Sequence, residues 1–301
     1  MGKKSPPAAS PPPAASPPPP PKNRRLHNAK AAKFDEFYTS RFDVERELKH
    51  YDKHLKNKVV YCPCDDESSG FFKYFLDNFE RLDLKKLIAT AYHPTRQTFR
   101  LTVIRTSTGH RSRVYRARLA GDGDFRSAEC VELLRSADVI VTNPPFSLSS
   151  QFLFLLADEQ KHFLFLGKTL LITTLLARRL FLSRKLRPGH TWHKAMDFQT
   201  PDRIINLSAN CYWTNFGDTP KREPLALTAS FSQGFACYDN YDAIEVPAIK
   251  LIPRDFRGKM GVPVTFLGRD DGKQFDILDI RGGLSVAQKN IFHRVIIRRR
   301  D

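Results

Sequence analysis

The run Ala137-Asp138-Val139-Ile140-Val141-Thr142 leads directly into Asn143-Pro144-Pro145-Phe146, and the reading of this stretch decides the fold. Val139 to Thr142 are all β-branched, so they read as a short buried strand. Pro144 and Pro145 have no N–H to give to a sheet ladder, so the strand stops at an abrupt turn. Working outward, Lys58-Val59-Val60-Tyr61-Cys62 is a first strand ended by Pro63, and Leu87-Ile88-Ala89-Thr90-Ala91 is a second. Phe99 to Ile104 and Arg113 to Leu119 flank Ser107-Thr108-Gly109 and read as a hairpin. His162 to Leu166 is a further strand. Helical patterns fall between these strands, at Ala29 to His54 with a break at Tyr38-Thr39-Ser40, at Ser69 to Asn78, at Cys130 to Arg135 and at Phe152 to Ala157. Asp43 is the expected N-cap of the helix that carries Glu45, Leu48 and Tyr51.

This alternation predicts an α/β fold with a mostly parallel sheet. Ligands of such sheets bind beyond the carboxyl ends of the strands. Asp65, Asp66, Asp124 and Asn143 all follow or adjoin a predicted strand, so they are expected on one cleft edge. Ten of the 21 prolines lie between Pro6 and Pro21, among alanine and serine. Residues 1–27 are therefore expected to be a disordered or polyproline-like tail. Residues 28–200 are the expected core. Residues 201–301, with short strands, prolines and turns, are the expected β-rich accessory region.

The formal charge of +17 favours a polyanionic partner, most simply nucleic acid. The closest approach to a membrane span, Phe163 to Leu182, is broken by Lys168, Arg178 and Arg179, so no membrane partner is expected. The five cysteines include Cys62-Pro63-Cys64, which lacks the spacing of a zinc knuckle. They read as reduced thiols in an intracellular protein. His190 and His193 have no companion ligands in the sequence, and no metal is expected.

The Asn-Pro-Pro-Phe tetrad suits the holding of a planar, conjugated amine. The lone pair of such an amine is delocalised into its ring, which makes it a poor nucleophile. Two acceptors aimed at its hydrogens draw the nitrogen toward a tetrahedral shape. The Asn143 side-chain oxygen and the Pro144 carbonyl can supply them, and two prolines fix both in advance. Phe146 offers a flat face to a base rotated out of a duplex, a stack worth about 1–3 kcal/mol.

Beyond the tetrad, ordered strings from about residue 28 to the C-terminus resemble the EcoRI-type adenine-specific DNA methyltransferases. They include Asp35-Glu36-Phe37-Tyr38-Thr39, Glu47-Leu48-Lys49-His50-Tyr51, Cys64-Asp65-Asp66, Gly121-Asp122-Gly123-Asp124-Phe125 and Val141-Thr142-Asn143-Pro144-Pro145-Phe146. Tyr241-Asp242-Ala243-Ile244-Glu245-Val246-Pro247 and Met260-Gly261-Val262-Pro263 continue the likeness. The resemblance implies a Rossmann-like S-adenosylmethionine-dependent methyltransferase sheet, with double-stranded DNA as substrate and adenine as acceptor. It places Tyr38 and Thr39 near the methionine end of the cofactor and Asp65 and Asp66 at its ammonium. It places Asp124 on the amino group of the cofactor adenine and Phe125 on that ring. Asn143, Pro144, Pro145 and Phe146 become the catalytic residues. A cognate restriction endonuclease is a partner that only the resemblance suggests. The family's Gly-Asn after the fifth strand here reads Gly167-Lys168, and the residues to about His190 diverge. A DNA-binding relative without activity, and a methyltransferase of RNA or of a glutamine amide, are the alternatives.

Overall fold

The buried β-branched run forms a strand of the computed structural model, which describes residues 38–105, 112–199, 204–217 and 220–300. The Pro-rich stretch 1–27, the helical stretch expected before Tyr38 and the turn at Ser107-Thr108-Gly109 lie outside the described residues. In chain order the elements are β1 (Tyr38–Thr39), α1 (Arg41–Leu48), α2 (Asp52–Leu55), β2 (Val59–Cys62), α3 (Gly70–Asp77), β3 (Lys86–Thr90), β4 (Phe99–Arg105) and β5 (Ser112–Arg118). They continue with α4 (Ala128–Ser136), β6 (Val139–Thr142), α5 (Ser149–Asp158), β7 (His162–Lys168), α6 (Leu175–Leu182), β8 (Arg187–Pro188), β9 (Lys194–Gln199) and β10 (Ile204–Thr214). No described helix is long and apolar enough to cross a membrane.

One ten-stranded sheet has the order β1-β9-β10-β7-β6-β2-β3-β4-β5, with β8 paired to β10. Its centre, β3-β2-β6-β7, is parallel. The strands on either side are antiparallel, so the sheet is mixed rather than mostly parallel. The central strands are apolar throughout because both of their faces are covered. Tyr61, Ile140, Phe163 and Phe165 point into one core. Val60, Cys62, Val139, Val141, Leu164 and Leu166 alternate with them and point into the other, with residues of α1 and α3.

The first core also holds Met260, Val262, Phe266, Phe275, Val295 and Ile297. These belong to the C-terminal strands β11 (Ile244–Glu245), β12 (Met260–Pro263), β13 (Phe275–Arg281), β14 (Leu284–Val286), β15 (Lys289–Ile291) and β16 (Arg294–Arg299), and to the turn after β12. A four-stranded sheet runs β11-β12-β16-β13, and β14 pairs with β15. β10 belongs to the main sheet, and its Cys211, Tyr212 and Trp213 are fully buried. Its first half, Asn206 to Asn210, alternates polar residues like an exposed strand, which disguised an eleven-residue central element.

Ser40, not Asp43, caps α1: its Oγ accepts from Asp43 N at 3.2 Å. Glu47 on this helix is fully buried. It accepts hydrogen bonds from Tyr51 Oη (2.8 Å), His190 N (2.8 Å) and Thr191 N (2.6 Å). Burial raises its carboxyl above the usual range, and those bonds oppose the rise. The helix thereby anchors the end of the divergent segment. Glu47→Ala removes the acceptor of two buried donors and one half-buried donor. It is expected to lower the unfolding free energy by about 3–5 kcal/mol, read as a shifted urea midpoint.

Candidate active site

β2 and β6 are adjacent and parallel, so the chain leaves both at the same edge of the sheet. Pro63-Cys64-Asp65 follows one strand and the Asn143 tetrad follows the other. Thr142 joins the two turns: its Oγ1 accepts from Cys64 N at 3.2 Å and donates to Asp65 Oδ2 at 2.5 Å. Asp65 N donates in turn to the Thr90 carbonyl at the end of β3, at 2.9 Å. Asp65 is 2% exposed. Burial pushes its carboxyl up to about 7, and bonds from Thr142, Ser69 and the Asn143 N–H work against the rise. A carboxyl near half-ionisation thus lies directly beneath the tetrad.

Asp65 and Asp66 open into a cavity of about 310 Å³ at the ends of β2 and β3, walled also by Ala91, Tyr92, His93 and Phe99. Its size is at the lower end of small-molecule sites. Asp66 accepts from Ser68 N and Oγ at 2.8 and 2.6 Å, which shapes the acidic turn. Thr39 of β1 lies against the start of α3. A Cβ on Gly70 would sit 2.4 Å from the Thr39 carbonyl, so the start of α3 and β1 touch through a glycine. Ser69, the N-cap of α3, bonds Asp65. Thr39 Oγ1 is buried and has no hydrogen-bond partner among the described residues. Two carboxylates on the wall of this cavity, beside the cationic Arg96 and Arg116, suit the positively charged end of a small polar molecule.

The Gly121–Asp124 turn docks on this cavity's rim. Gly123 has φ +80°, and a Cβ there would lie 2.2 Å from the Ala91 carbonyl. His93 N donates to the Asp122 carbonyl at 2.9 Å. Asp124 is held by Arg126, whose Nε and Nη2 reach its carboxylate at 3.0, 3.2 and 2.6 Å. The Arg126 side chain keeps that carboxyl below its ordinary value. Phe125 is 4% exposed and meets Phe152 edge to face, with centroids 5.1 Å apart. The structure thus brings Asp65 and Asp66 to one cavity, sets Thr39 against the start of α3, commits Asp124 to Arg126, and places Phe125 in the core rather than on the cavity wall. An aromatic residue after an aspartate reads the same in either position, so the sequence could not separate the two.

In the tetrad, the turn's own hydrogen bonds use the Pro145 carbonyl, which accepts from Leu148 N at 2.9 Å and Ser149 Oγ at 3.5 Å. Among the described residues the Pro144 carbonyl accepts none. Asn143 is half-buried and Pro144 buried. Phe146 is half-buried, with the Phe198 ring edge-on at 5.8 Å and Lys168 Nζ at 4.6 Å from its centroid. Thr142 carries no role in the sequence pattern, where Lys168 stands out only as a break in an apolar stretch and as a departure from the family's Gly-Asn. The available signal for Thr142 was a hydroxyl as the last residue of an otherwise apolar strand.

A mixed α/β sheet thus carries a polar cavity and the Asn-Pro-Pro-Phe turn at neighbouring strand ends, the edge where ligands of such sheets bind. The chain belongs to the family described as adenine-specific methyltransferase EcoRI, whose profile matches residues 25–300. It is 36% identical to the Type II methyltransferase M.EcoRI of Escherichia coli, over 92% of this chain and 96% of that one. It is 35% identical to M.MgeORF184P of Mycoplasma genitalium and 36% identical to M.MpnI of Mycoplasma pneumoniae, both Type II methyltransferases, each over 84% of this chain and 85% of the other.

Proposed function

We propose that this methyltransferase moves the methyl group of S-adenosylmethionine to the N6 amine of an adenine extruded from double-stranded DNA. The observation that carries the proposal is the Thr142–Asp65 bond, which ties the acceptor turn to the acidic cavity. S-adenosylmethionine supplies an electrophilic methyl on a cationic sulfonium. Asp65 and Asp66 hold the ammonium by charge-assisted bonds, with Thr39 Oγ1 as a further polar contact. Asp124 serves the adenine end once Arg126 shares or releases it. Asn143 Oδ1 and the Pro144 carbonyl accept from the two hydrogens of the target amine and free its lone pair for in-line attack. Pro145 keeps the turn rigid. Phe146 stacks the base. The methylated amine is acidic and loses its proton to solvent, so no strong base is needed.

The positive charge of the chain and the naming of the relatives as Type II methyltransferases support DNA as substrate. A restriction endonuclease of the same specificity is the expected companion. Sequencing plasmid DNA from cells that express the chain tests the proposal. N6-methyladenine in one recurrent sequence context is expected. Unmodified plasmid, from cells that contain folded protein, contradicts it. A relative that only binds DNA gives retained duplex with no product. Preferred labelling of RNA or protein in competition would redirect the substrate.

A further inference from the structure

Lys168 ends β7 and stands opposite Asn210 in the β7–β10 register. Its ammonium donates to Asn210 Oδ1 at 2.8 Å and to the Ser208 carbonyl at 3.2 Å. The same Nζ lies 4.6 Å from the centre of the Phe146 ring. Both acceptors are set by an irregularity of β10. The register with β9 shifts between Leu207 and Asn210, and Ala209 sits there at φ 61°. That left-handed conformation is unfavourable for a residue with a Cβ and is found where surroundings enforce it. Asn210 is fully buried, and its Nδ2 donates to the Leu207 carbonyl at 2.6 Å. Its amide is therefore fixed with the oxygen toward Lys168.

An ammonium carries three N–H donors and no acceptor. Two are used by neutral acceptors. Among the described residues Lys168 has no carboxylate partner, although it is half-buried. A strained bulge thus holds a partly desolvated cation, with one donor in reserve, at the aromatic face of the tetrad. A base stacked on that face presents its ring nitrogens edge-on, in the plane where such a donor can reach them.

We propose, on the methyltransferase reading given above, that Lys168 is a specificity-determining residue that donates its third N–H to a ring nitrogen beside the target amine. In adenine the two candidates are N1 and N7. The contact favours a base with an acceptor at that place over one with N–H or C–H. It is made to the ground state as much as to the transition state, since it withdraws electron density from the ring. Its effect therefore falls on KM rather than on kcat.

The test uses the full chain and synthetic duplexes that carry its own methylation site, with adenine, 1-deazaadenine or 7-deazaadenine as target. Wild-type protein on the adenine duplex is the control for the parent reading; no transfer there counts against the methyltransferase proposal and not against Lys168. One of the two deaza substitutions is expected to raise the wild-type KM on the order of 10- to 100-fold. Lys168→Met keeps the apolar stem. It is expected to raise KM on the adenine duplex by a similar factor, to lose the discrimination and to hold kcat within a few-fold. The proposal is overturned if wild type treats all three bases alike, or if the variant still discriminates. It is also overturned if the variant weakens every duplex equally with a smaller salt slope, which is the signature of a phosphate contact. The wild-type comparison alone decides the matter should the variant fold poorly.

Discussion

Asn143→Ala lowers the rate of methyl transfer to DNA on the order of 100- to 1000-fold while duplex affinity stays within a few-fold. The expectation follows from where the side chain acts. Asn143 leaves β6 at the edge shared with Asp65, and its backbone N–H is committed to that carboxylate. Its side-chain oxygen is buried, and on the proposed reading it forms an acceptor pair with the Pro144 carbonyl. Removing one of two acceptors leaves the target amine planar and unreactive but leaves phosphate contacts intact. Single-turnover transfer and equilibrium binding, measured on the same duplex, separate the two effects. An alanine variant that transfers methyl at the wild-type rate would remove the tetrad from the chemistry.

The second large effect concerns Asp65. Its carboxyl stands near 7 in the folded chain, above the unfolded value, because burial disfavours the anion. The stability this group contributes is full below the unfolded pKa of about 4 and is lost as pH rises through about 7, roughly 4 kcal/mol in all. Binding of a cation reverses the preference, since the contact needs the ionised carboxylate. Affinity for S-adenosylmethionine should therefore climb by up to about tenfold per pH unit toward 7 and then level. Asp65→Asn should bind it about 10- to 100-fold more weakly at neutral pH, flatten this climb, and lose less stability on the alkaline side. Calorimetric titration across about pH 5.5 to 8.5, with thermal unfolding at the same points, reads both. A wild-type affinity that does not change with pH, or a variant that keeps the climb, would take the cationic contact away from Asp65.

What the sequence made legible and what it hid have physical causes. β2, β3, β6 and β7 were readable because both faces are buried, which leaves uninterrupted apolar runs with prolines or helices to end them. Their carboxyl ends located Asp65, Asp66 and Asn143 without further information. The role of Thr142 was hidden because its partners are 77 and 78 residues away. The burial of Glu47 was hidden in the same way, since its donors at His190 and Thr191 lie 143 and 144 residues distant. The cap of α1 was misplaced because Ser40 and Asp43 are both good capping residues and only backbone geometry distinguishes them. β10 was lost to a bulge that breaks its period at Ala209, and the same bulge positions the acceptors of Lys168.

The Asn143–Pro144 acceptor pair, tied to Asp65 through Thr142, is expected to direct a methyl group onto an adenine amine. Incubation of the purified chain with methyl-labelled S-adenosylmethionine and plasmid DNA, followed by digestion to nucleosides, tests it most directly. All of the label is expected to travel with N6-methyladenine, and Asn143→Ala is expected to leave the DNA unlabelled over the same interval. Label on another base, or equal labelling by the alanine variant, would contradict the account.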